Sequence, residues 1–180
     1  MAQLVIVSGA PASGKTTLAR SLGRQLGLPV LEKDALKEAL SDAVGVPADV
    51  AASSRLGSAA YAACFSLARN LLADDVGVVL ESNFRRGLSE AELVPIAAVA
   101  SMVHLVHCTA PESVIMQRYR TRSRHAAHLD DLRYDAVRAD LAAGRYEPLR
   151  VDWPTVVVRT ESGYAPTLKD IAAFVRAGRT

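Results

Sequence analysis

The sequence predicts an α/β fold, in which a parallel β-sheet is covered by helices on both faces. Five short apolar runs alternate with segments where apolar residues recur at helical spacing. The runs are continuously apolar, which is typical of strands that are buried on both faces. A glycine-rich motif stands between the first run and the first helical segment. Because ligands bind at the carboxyl ends of the strands in such sheets, the polar residues after each run mark the predicted site.

The composition is that of an ordinary globular chain. Half of the 180 residues are hydrophobic and 22% are charged, which suits one domain over residues 1–180. A net charge of +2 is too small to imply general nucleic-acid binding. The two cysteines, Cys64 and Cys108, lack metal-ligand spacing and are expected to be buried thiols in a reducing compartment. With no apolar run of membrane-spanning length and no signal peptide, we expect a cytoplasmic protein without a membrane partner.

The first strand, predicted over residues 3–8, leads into a glycine-rich motif. The motif is Gly9-Ala10-Pro11-Ala12-Ser13-Gly14-Lys15-Thr16. It matches G-x-x-x-x-G-K-[ST], the phosphate-binding P-loop, and a helix over 14–26 follows it. Backbone N–H groups of such a loop and the helix N-terminus together attract phosphate oxygens. Lys15 is expected to reach the β- and γ-phosphates of ATP, Thr16 to hold Mg²⁺, and Thr17 to complete the nucleotide contacts.

The second predicted strand, Val30-Leu31, ends in Glu32-Lys33-Asp34, and a helix follows it. If a γ-phosphoryl group moves to a hydroxyl, a carboxylate must orient that hydroxyl and accept its proton. Asp34 is the candidate for this role, and the alternative is that it only caps the helix. Lys37 lies one turn further along the same face. It either binds an anionic group of the acceptor, the molecule that receives the phosphoryl group, or is simply solvated.

The third predicted strand, residues 76–80, follows a long helix over 49–73 with a polar break near Ser53-Ser54. The strand ends in Glu81, at the position of a metal-binding acid, where Asp is more usual. Glu81 could coordinate Mg²⁺ through water, or it could hydrogen-bond the hydroxyls of the acceptor. Asn83, two residues further on, is a candidate acceptor contact or only a turn residue.

The remaining predicted elements continue the alternation. Strands are expected over 102–107 and 155–158, and helices over 88–99, from 111 to about 123, over 131–143 and over 167–177. No metal-ligand cluster is expected after the second of these helices, because His125 and His128 have no partners at suitable spacing.

Four arginines and no acidic residue lie in the stretch Arg118-Tyr119-Arg120-Thr121-Arg122-Ser123-Arg124. At helical spacing Arg118 and Arg122 share one face, whereas Arg120 and Arg124 share the other. Phosphoryl transfer needs cations over the transferring group, and the guanidinium fork suits phosphate oxygens. At least one of these arginines is therefore expected to act on the phosphates. The alternative is an exposed basic helix face.

Five stretches of the chain are GAPASGKTTLAR, EKDALKEAL, ESNF, QRYRTRSRH and VDWPTVVVRTESGYAPTL. Together they resemble the small P-loop kinases of the polynucleotide-5′-kinase-like group. That group is similar to the zeta-toxin and chloramphenicol-phosphotransferase kinases, all with an AAA-type ATP-binding domain. The resemblance spans nearly the whole chain. It implies a three-layer P-loop NTPase fold, with a parallel sheet ordered 2-3-1-4-5 and an arginine-bearing lid at about residues 118–130.

The resemblance also implies roles for individual residues. Asp34 matches the general base of the polynucleotide kinases. Lys37 lies where those enzymes carry an Arg that binds the acceptor's phosphate, and Lys keeps the charge but loses the fork. Arg118 and Arg122 fall in the lid and would contact the ATP phosphates. The loop Thr160–Tyr164 falls where the family packs against adenine, so that both of its end residues are predicted nucleotide contacts.

These observations predict an ATP-dependent phosphotransferase that uses Mg²⁺. The γ-phosphoryl group would move to a hydroxyl of a small molecule, a nucleoside or a nucleotide. The modest charge and the lack of a row of stacking aromatics favour such an acceptor over a nucleic-acid strand. One alternative is a polynucleotide kinase that acts on a 5′-hydroxyl end. The other is a regulatory switch that hydrolyses ATP and signals to a protein partner.

Overall fold

A five-stranded parallel sheet forms the centre of the molecule in a computed structural model that describes residues 2–177. The strands are β1 (Gln3–Gly9), β2 (Val30–Glu32), β3 (Val78–Glu81), β4 (Met102–Thr109) and β5 (Thr155–Arg159). Their order in the sheet is β2-β3-β1-β4-β5, and every neighbouring pair is parallel. The predicted P-loop NTPase topology is therefore confirmed, with β1 and its P-loop in the middle.

Seven α-helices connect or follow the strands within residues 2–177. They are α1 (Lys15–Leu26), α2 (Lys33–Val44), α3 (Val50–Ala73), α4 (Glu90–Ala97), α5 (Glu112–Thr121), α6 (Asp130–Ala142) and α7 (Leu168–Ala177). A short 3₁₀ turn, Ala126–His128, separates α5 from α6. None of the helices in this part of the chain is long and apolar enough to cross a membrane.

The hydrophobic core lies in two layers, one on each face of the sheet. Because side chains alternate along a strand, Leu4 and Ile6 of β1 face one layer, where α3 and α4 supply most of the helical side chains. Val5 and Val7 face the other layer, which α1 and α7 cover. All seven residues of β1 are buried. Burial from both sides thus explains the continuously apolar runs of the central strands, whereas the edge strands β2 and β5 are half-exposed.

The predicted break in the long helix is wrong, since α3 continues through Ser53-Ser54 without interruption. Asp49 caps the helix by accepting a 2.7 Å hydrogen bond from the backbone N–H of Ala52. The Ser53 hydroxyl donates to the carbonyl oxygen of Ala127 at 2.7 Å, outside its own helix. A serine that is engaged in this way does not compete with the helical hydrogen bonds, and so the helix continues.

Several other boundaries differ from the predicted ones by two residues: α4 spans Glu90–Ala97 rather than 88–99, and β4 extends to Thr109 rather than ending at residue 107. The third strand begins at Val78 rather than at residue 76, because Val76 closes the turn after α3 through a 2.8 Å bond from its N–H to the Leu71 carbonyl. The helix α5 ends at Thr121 rather than at about residue 123. Arg122 already has the extended ψ of 138°, so the arginine-rich stretch is only partly helical.

Candidate active site

The P-loop between β1 and α1 has the backbone shape that its glycines permit. Gly9 has a φ of +147°, and a Cβ at this position would lie 2.4 Å from the carbonyl oxygen of Cys108. Gly14 has a φ of +83° and precedes α1 without a side-chain cap, which leaves the first N–H groups of the helix free of that partner. The hydroxyl of Ser13 is buried and has no hydrogen-bond partner within residues 2–177. Unpartnered donors around a tight loop are what a phosphate site requires.

The loop after β5 holds the P-loop from the side. The Thr160 hydroxyl donates to the carbonyl oxygen of Ser13 at 2.7 Å, and Arg118 donates from α5 to the Thr160 carbonyl oxygen at 2.7 Å. Arg118 also bonds the Glu161 carbonyl oxygen at 3.0 Å. Thr160 and Arg118, two predicted nucleotide contacts, therefore lie together beside the P-loop. Tyr164, the third, is half-buried against the core layer under α1 and α7.

Lys15, Thr16 and Glu81 form a compact group at the carboxyl ends of β1 and β3. Glu81 Oε1 lies 3.7 Å from Lys15 Nζ, and the Thr16 hydroxyl donates to the same oxygen at 3.3 Å. Lys15 also donates to the Ala10 carbonyl oxygen at 3.2 Å. Burial raises the pKa of Glu81 and lowers the pKa of Lys15, and each charge opposes the shift of the other.

This group fits a hard divalent cation. A hydroxyl and a carboxylate oxygen side by side are ligands that Mg²⁺ accepts, and the remaining positions are usually filled by water and phosphate oxygens. Within the described residues there is no cluster of three or more His, Cys, Asp or Glu side chains that could hold a metal alone. A cation bound at Thr16 and Glu81 would therefore depend on the nucleotide for further ligands. Thr17, the next predicted contact, is exposed in the first turn of α1.

Asp34 lies in the first turn of α2, where cations contact both of its oxygens. Lys33 Nζ lies 3.0 Å from Oδ1 and an Arg124 nitrogen lies 2.9 Å from Oδ2. Burial alone would raise the pKa of Asp34, but these cations outweigh it and hold that pKa well below its usual range. The alternative role of Asp34 as a helix cap is not observed, since Glu32 occupies the N-cap position and makes no side-chain cap bond.

A cavity of about 220 Å³ opens beside Asp34 and reaches Pro11 of the P-loop. The other predicted acceptor contacts on its wall are Lys37 and Asn83. The side-chain oxygen of Asn83 is buried and has no hydrogen-bond partner within the described residues. Glu81, by contrast, does not line this cavity. Of its two predicted roles, its position therefore favours the metal over the acceptor.

Lys37 is a buried cation that meets a hydroxyl and no carboxylate. The residue is 4% exposed, and its ammonium group donates to the Ser53 hydroxyl at 2.7 Å. No ion pair joins Lys37 to an acid in the part of the chain that the structure describes. Burial, with the charges of Lys33 and Arg133 close by, lowers the pKa of Lys37 to about 8.

The segment that links α5 to α6, residues 122–130, covers the cavity beside Asp34, which is proposed below to hold the acceptor, and is named the lid segment. Within it, Arg122 bonds Asp130 at 2.6 Å, and its guanidinium carbon lies 4.4 Å from the centre of the Tyr119 ring. Because α5 ends before Arg122, the predicted face shared by Arg118 and Arg122 is wrong. Arg122 lines the cavity, whereas Arg118 points to the loop after β5.

Three residues at the site were not among the predicted functional residues. Arg124 and Lys33 contact Asp34, and Tyr61 lines the cavity with Lys33 Nζ 5.1 Å from the centre of its ring. Ser82 donates to the Tyr61 hydroxyl at 2.7 Å, so that the ring is held from two sides. The sequence does contain one signal for a basic partner of Asp34. Asp34 and two further acids, four and eight residues later, form an acidic stripe on α2 that a basic segment could contact.

The fold and this site define a protein of the P-loop NTPase class. The chain belongs to the family described as the AAA domain, whose model matches residues 4–146. Among proteins of curated function, none matches the sequence significantly.

Solved structures share the architecture over almost the whole chain. A candidate kinase from Chloroflexus aurantiacus J-10-fl is 30% identical, with 98% of this chain and 97% of that one covered and a TM-score of 0.83. A sugar kinase from Janibacter sp. HTCC2649 is 19% identical, with 97% and 95% covered and a TM-score of 0.63. A gluconokinase from Sinorhizobium meliloti 1021 is 18% identical, with 98% and 92% covered and a TM-score of 0.57. At 19% and 18% identity, the last two structures show that their fold is shared with this chain, and no more than that.

Proposed function

We propose that the protein is an ATP-dependent kinase that phosphorylates a hydroxyl group of a small anionic molecule. One observation carries the proposal: an ionised carboxylate, Asp34, lies on the wall of a cavity that reaches the P-loop. A phosphoryl donor on one side and a hydroxyl-orienting carboxylate on the other are the two parts that a kinase needs. The similarity to the Chloroflexus aurantiacus candidate kinase supports the same class of reaction.

Mg²⁺ and ATP are the expected cofactors, and bound ATP supplies the phosphoryl group that is transferred. Gly9 to Thr16 would hold the phosphates, with Thr16 and Glu81 beside the cation. Lys15 would turn from the Ala10 carbonyl oxygen, to which it donates at 3.2 Å, to a phosphate oxygen, with Glu81 3.7 Å from its ammonium group. Thr160, Tyr164 and Arg118 are proposed to form the side of the site that receives the base and ribose.

Asp34 is proposed to orient the acceptor hydroxyl rather than to remove its proton early. A carboxylate with a strongly lowered pKa is a weak base, but it remains a good hydrogen-bond acceptor. Phosphoryl transfer through a loose transition state needs little early proton removal, so alignment is the larger contribution. The lid segment would also exclude water, which otherwise competes with the acceptor for the phosphoryl group.

The anionic character of the acceptor is inferred from unpaired cations. Lys37 and Arg133 line the cavity from α2 and α6, and neither has an ion pair to an acid within the described residues. They are held by adjacent hydroxyls, Lys37 by Ser53 and Arg133 by Ser54 at 2.8 Å. Two cations without a protein counter-ion at one wall favour a ligand that carries a carboxylate or a phosphate.

The size of the cavity favours a small acceptor over a nucleic-acid strand. A volume of about 220 Å³ is modest for a ligand site, and the lid segment closes one side of it. Two structural relatives are named a sugar kinase and a gluconokinase, which makes polyhydroxylated molecules reasonable first candidates. A 5′-hydroxyl polynucleotide end would have to displace the lid segment from Asp34 in order to reach it.

The proposal is tested by transfer of label from [γ-³²P]ATP in the presence of Mg²⁺. The acceptors are matched pairs that differ in charge, gluconate with sorbitol and glycerate with glycerol, together with nucleosides, a 5′-hydroxyl oligonucleotide and water alone. We expect labelled product from an anionic member of a pair and little from its neutral partner. Label on the oligonucleotide would establish the polynucleotide kinase instead. Label released only as inorganic phosphate, with every acceptor unlabelled, would favour the ATP-hydrolysing switch.

A further inference from the structure

The helix α2 carries a stripe of three acids that faces the lid segment. Asp34, Glu38 and Asp42 are four residues apart and so lie on one face of the helix. Each of them pairs with a basic side chain of the lid segment. Arg124 bonds Asp34 at 2.9 Å, His128 bonds Glu38 at 2.7 Å and His125 bonds Asp42 at 3.0 Å. This charged contact joins the element that carries the proposed hydroxyl-orienting residue to the cover of the cavity.

The middle pair of the stripe contains a buried histidine. His128 is 5% exposed, and its Nε2 atom lies between Glu38 Oε1 at 2.7 Å and a terminal nitrogen of Arg124 at 2.9 Å. One ring nitrogen either donates or accepts, so it cannot bond both neighbours at once. The shorter distance and the negative charge of the carboxylate place the proton on Nε2, directed at Glu38. Glu38 Oε1 therefore accepts from His128, and the same oxygen lies 3.5 Å from a terminal nitrogen of Arg124, so that His128 acts on Arg124 through Glu38.

Further groups complete the contact between the lid segment and the helices. The Ala127 carbonyl oxygen accepts from Ser53 of α3, which in turn accepts from Lys37. Arg133 at the start of α6 reaches the Val50 carbonyl oxygen at 3.3 Å. The Ser53 bond holds the backbone of the lid segment and the Arg133 bond joins α6 to α3, but neither touches Arg124. Besides Asp34 itself, Glu38 and His128 are the side chains that contact Arg124 in the described part of the chain.

We propose that Glu38 and His128 are positioning residues, which seat Arg124 on Asp34 and thereby hold the lid segment over the acceptor cavity. This inference rests on the proposed kinase function, because it assigns the two residues to the acceptor half of that reaction. Each Asp34 oxygen that bonds a cation keeps a second lone-pair direction, which remains available for the acceptor hydroxyl. The Arg124 charge fixes the rotamer of Asp34 and keeps the carboxylate ionised.

The outer pair of the same stripe provides a matched control. Asp42 also bonds a lid histidine, but its side chain is 72% exposed and the pair does not contact Arg124. Exposed ion pairs contribute little, so Asp42→Asn should leave the lid segment in place. Glu38→Gln removes a charge of the same sign from the next turn of the same helix. The two variants therefore differ in which lid residue loses its partner, and not in the type of substitution.

His128 allows a second, more specific comparison. Gln places an amide N–H close to the position of the Nε2–H group, so His128→Gln keeps the donor to Glu38 without the ring. His128→Asn is too short to reach the same oxygen. If the role of His128 is to donate to Glu38, the Gln variant should keep the lid segment seated and the Asn variant should not.

Hydrogen exchange of the peptide that covers the lid segment tests the proposal without any substrate. We expect exchange about tenfold faster in Glu38→Gln and His128→Asn than in the wild type, because Arg124 and the Ala126–His128 turn lose their support. His128→Gln and Asp42→Asn should stay within about twofold of the wild type. Equal exchange in Glu38→Gln and Asp42→Asn would overturn the proposal. Equal thermal melting temperatures of the variants would show that global unfolding does not cause the difference.

Kinetics separate this inference from the proposed function. With an acceptor that the label-transfer panel has identified, Glu38→Gln should raise the acceptor KM and lower kcat/KM about tenfold, while the ATP KM stays unchanged. A rise in both KM values would contradict a role confined to the acceptor side. If no acceptor in the panel is labelled, the kinase proposal fails. The hydrogen-exchange comparison would still decide whether Glu38 and His128 hold the lid segment.

Discussion

The proposed nucleotide side and the proposed acceptor side of this site are built by different physical means. On the nucleotide side, consecutive residues 9–16 turn between β1 and α1, and the groups that would meet phosphate are mainly backbone N–H groups. On the acceptor side, single side chains from α2, α3, α6 and the lid segment surround a cavity. The first side depends on backbone shape, and the second depends on charges that meet only after the chain has packed.

The balance of charge differs between the two sides as well. The nucleotide side holds one ion pair, Lys15 with Glu81, at 3.7 Å within the described residues. Around Asp34 the acid contacts two cations, while Lys37 and Arg133 find hydroxyl partners instead. The comparison teaches that the phosphate half takes its shape from consecutive residues of the chain and is supported from outside by Thr160, Arg118 and Glu81. In the acceptor half the cations outnumber the carboxylates, so that Lys37 and Arg133 bond hydroxyls instead of acids.

The largest effect should come from Asp34→Asn, which alters the acceptor side alone. The amide keeps the size of the side chain but loses the charge that aligns a hydroxyl, so transfer should fall about 1,000-fold. Affinity for Mg·ATP, measured by calorimetry, should change by less than about threefold. An equal loss of ATP affinity would show that the two sides are not separate. Unchanged turnover would remove Asp34 from the mechanism.

Lys15→Met should weaken ATP binding and should also lower the stability of the protein. Loss of the charged contact should weaken ATP binding about 100-fold. The substitution also leaves Glu81 buried without its cation, which lowers stability because a lone buried charge is costly. Adding Glu81→Gln should restore the melting temperature but not ATP binding. If Lys15→Met alone binds ATP normally, the P-loop assignment of this residue is wrong.

The pH dependence of the KM for an anionic acceptor should show whether Lys37 contacts the acceptor. Since burial lowers the pKa of Lys37 to about 8, the ammonium is charged at neutral pH and loses its charge as the pH rises through that value. The KM for an anionic acceptor should therefore rise about tenfold between about pH 7 and about pH 9.5. In Lys37→Arg, whose guanidinium stays charged, this rise should disappear. A flat wild-type profile would mean that Lys37 does not contact the acceptor anion.

The smallest effect should come from Thr160→Val, which removes one support of the P-loop. Val has the same shape but cannot donate to the Ser13 carbonyl oxygen, a loss of about 1 kcal/mol. ATP affinity should fall a few-fold, and the acceptor KM should not change. Thr155→Val is the matched control, because this hydroxyl also bonds a carbonyl, that of Trp153, at the exposed start of β5. Equal effects of the two variants would rule out a specific support of the P-loop by Thr160.

The extent to which the sequence predicted the fold follows from how local each signal is. The buried central strands β1, β3 and β4 produce apolar runs, the half-exposed edge strands β2 and β5 produce shorter ones, and the alternation with helices predicted the parallel sheet, which the structure confirms. The strand order came from the family resemblance rather than from the runs. Helix ends were less accurate where a distant partner decides them. Arg122 leaves α5 where it bonds Asp130, and Ser53 stays helical because its hydroxyl bonds Ala127.

In the candidate site, too, some features follow from neighbouring residues of the sequence and others depend on residues that are distant in the chain. The P-loop could be recognised from eight consecutive residues, because a phosphate cradle is formed by neighbouring backbone groups whose shape depends on their own glycines. The pairing of Asp34 with Arg124 joins residues 90 positions apart, and no spacing in the chain indicates it. Nor does the sequence distinguish a buried Lys37 from a solvated one. Burial, pKa and charge pairing depend on what packs around each group, and the folded chain is what brings those neighbours together.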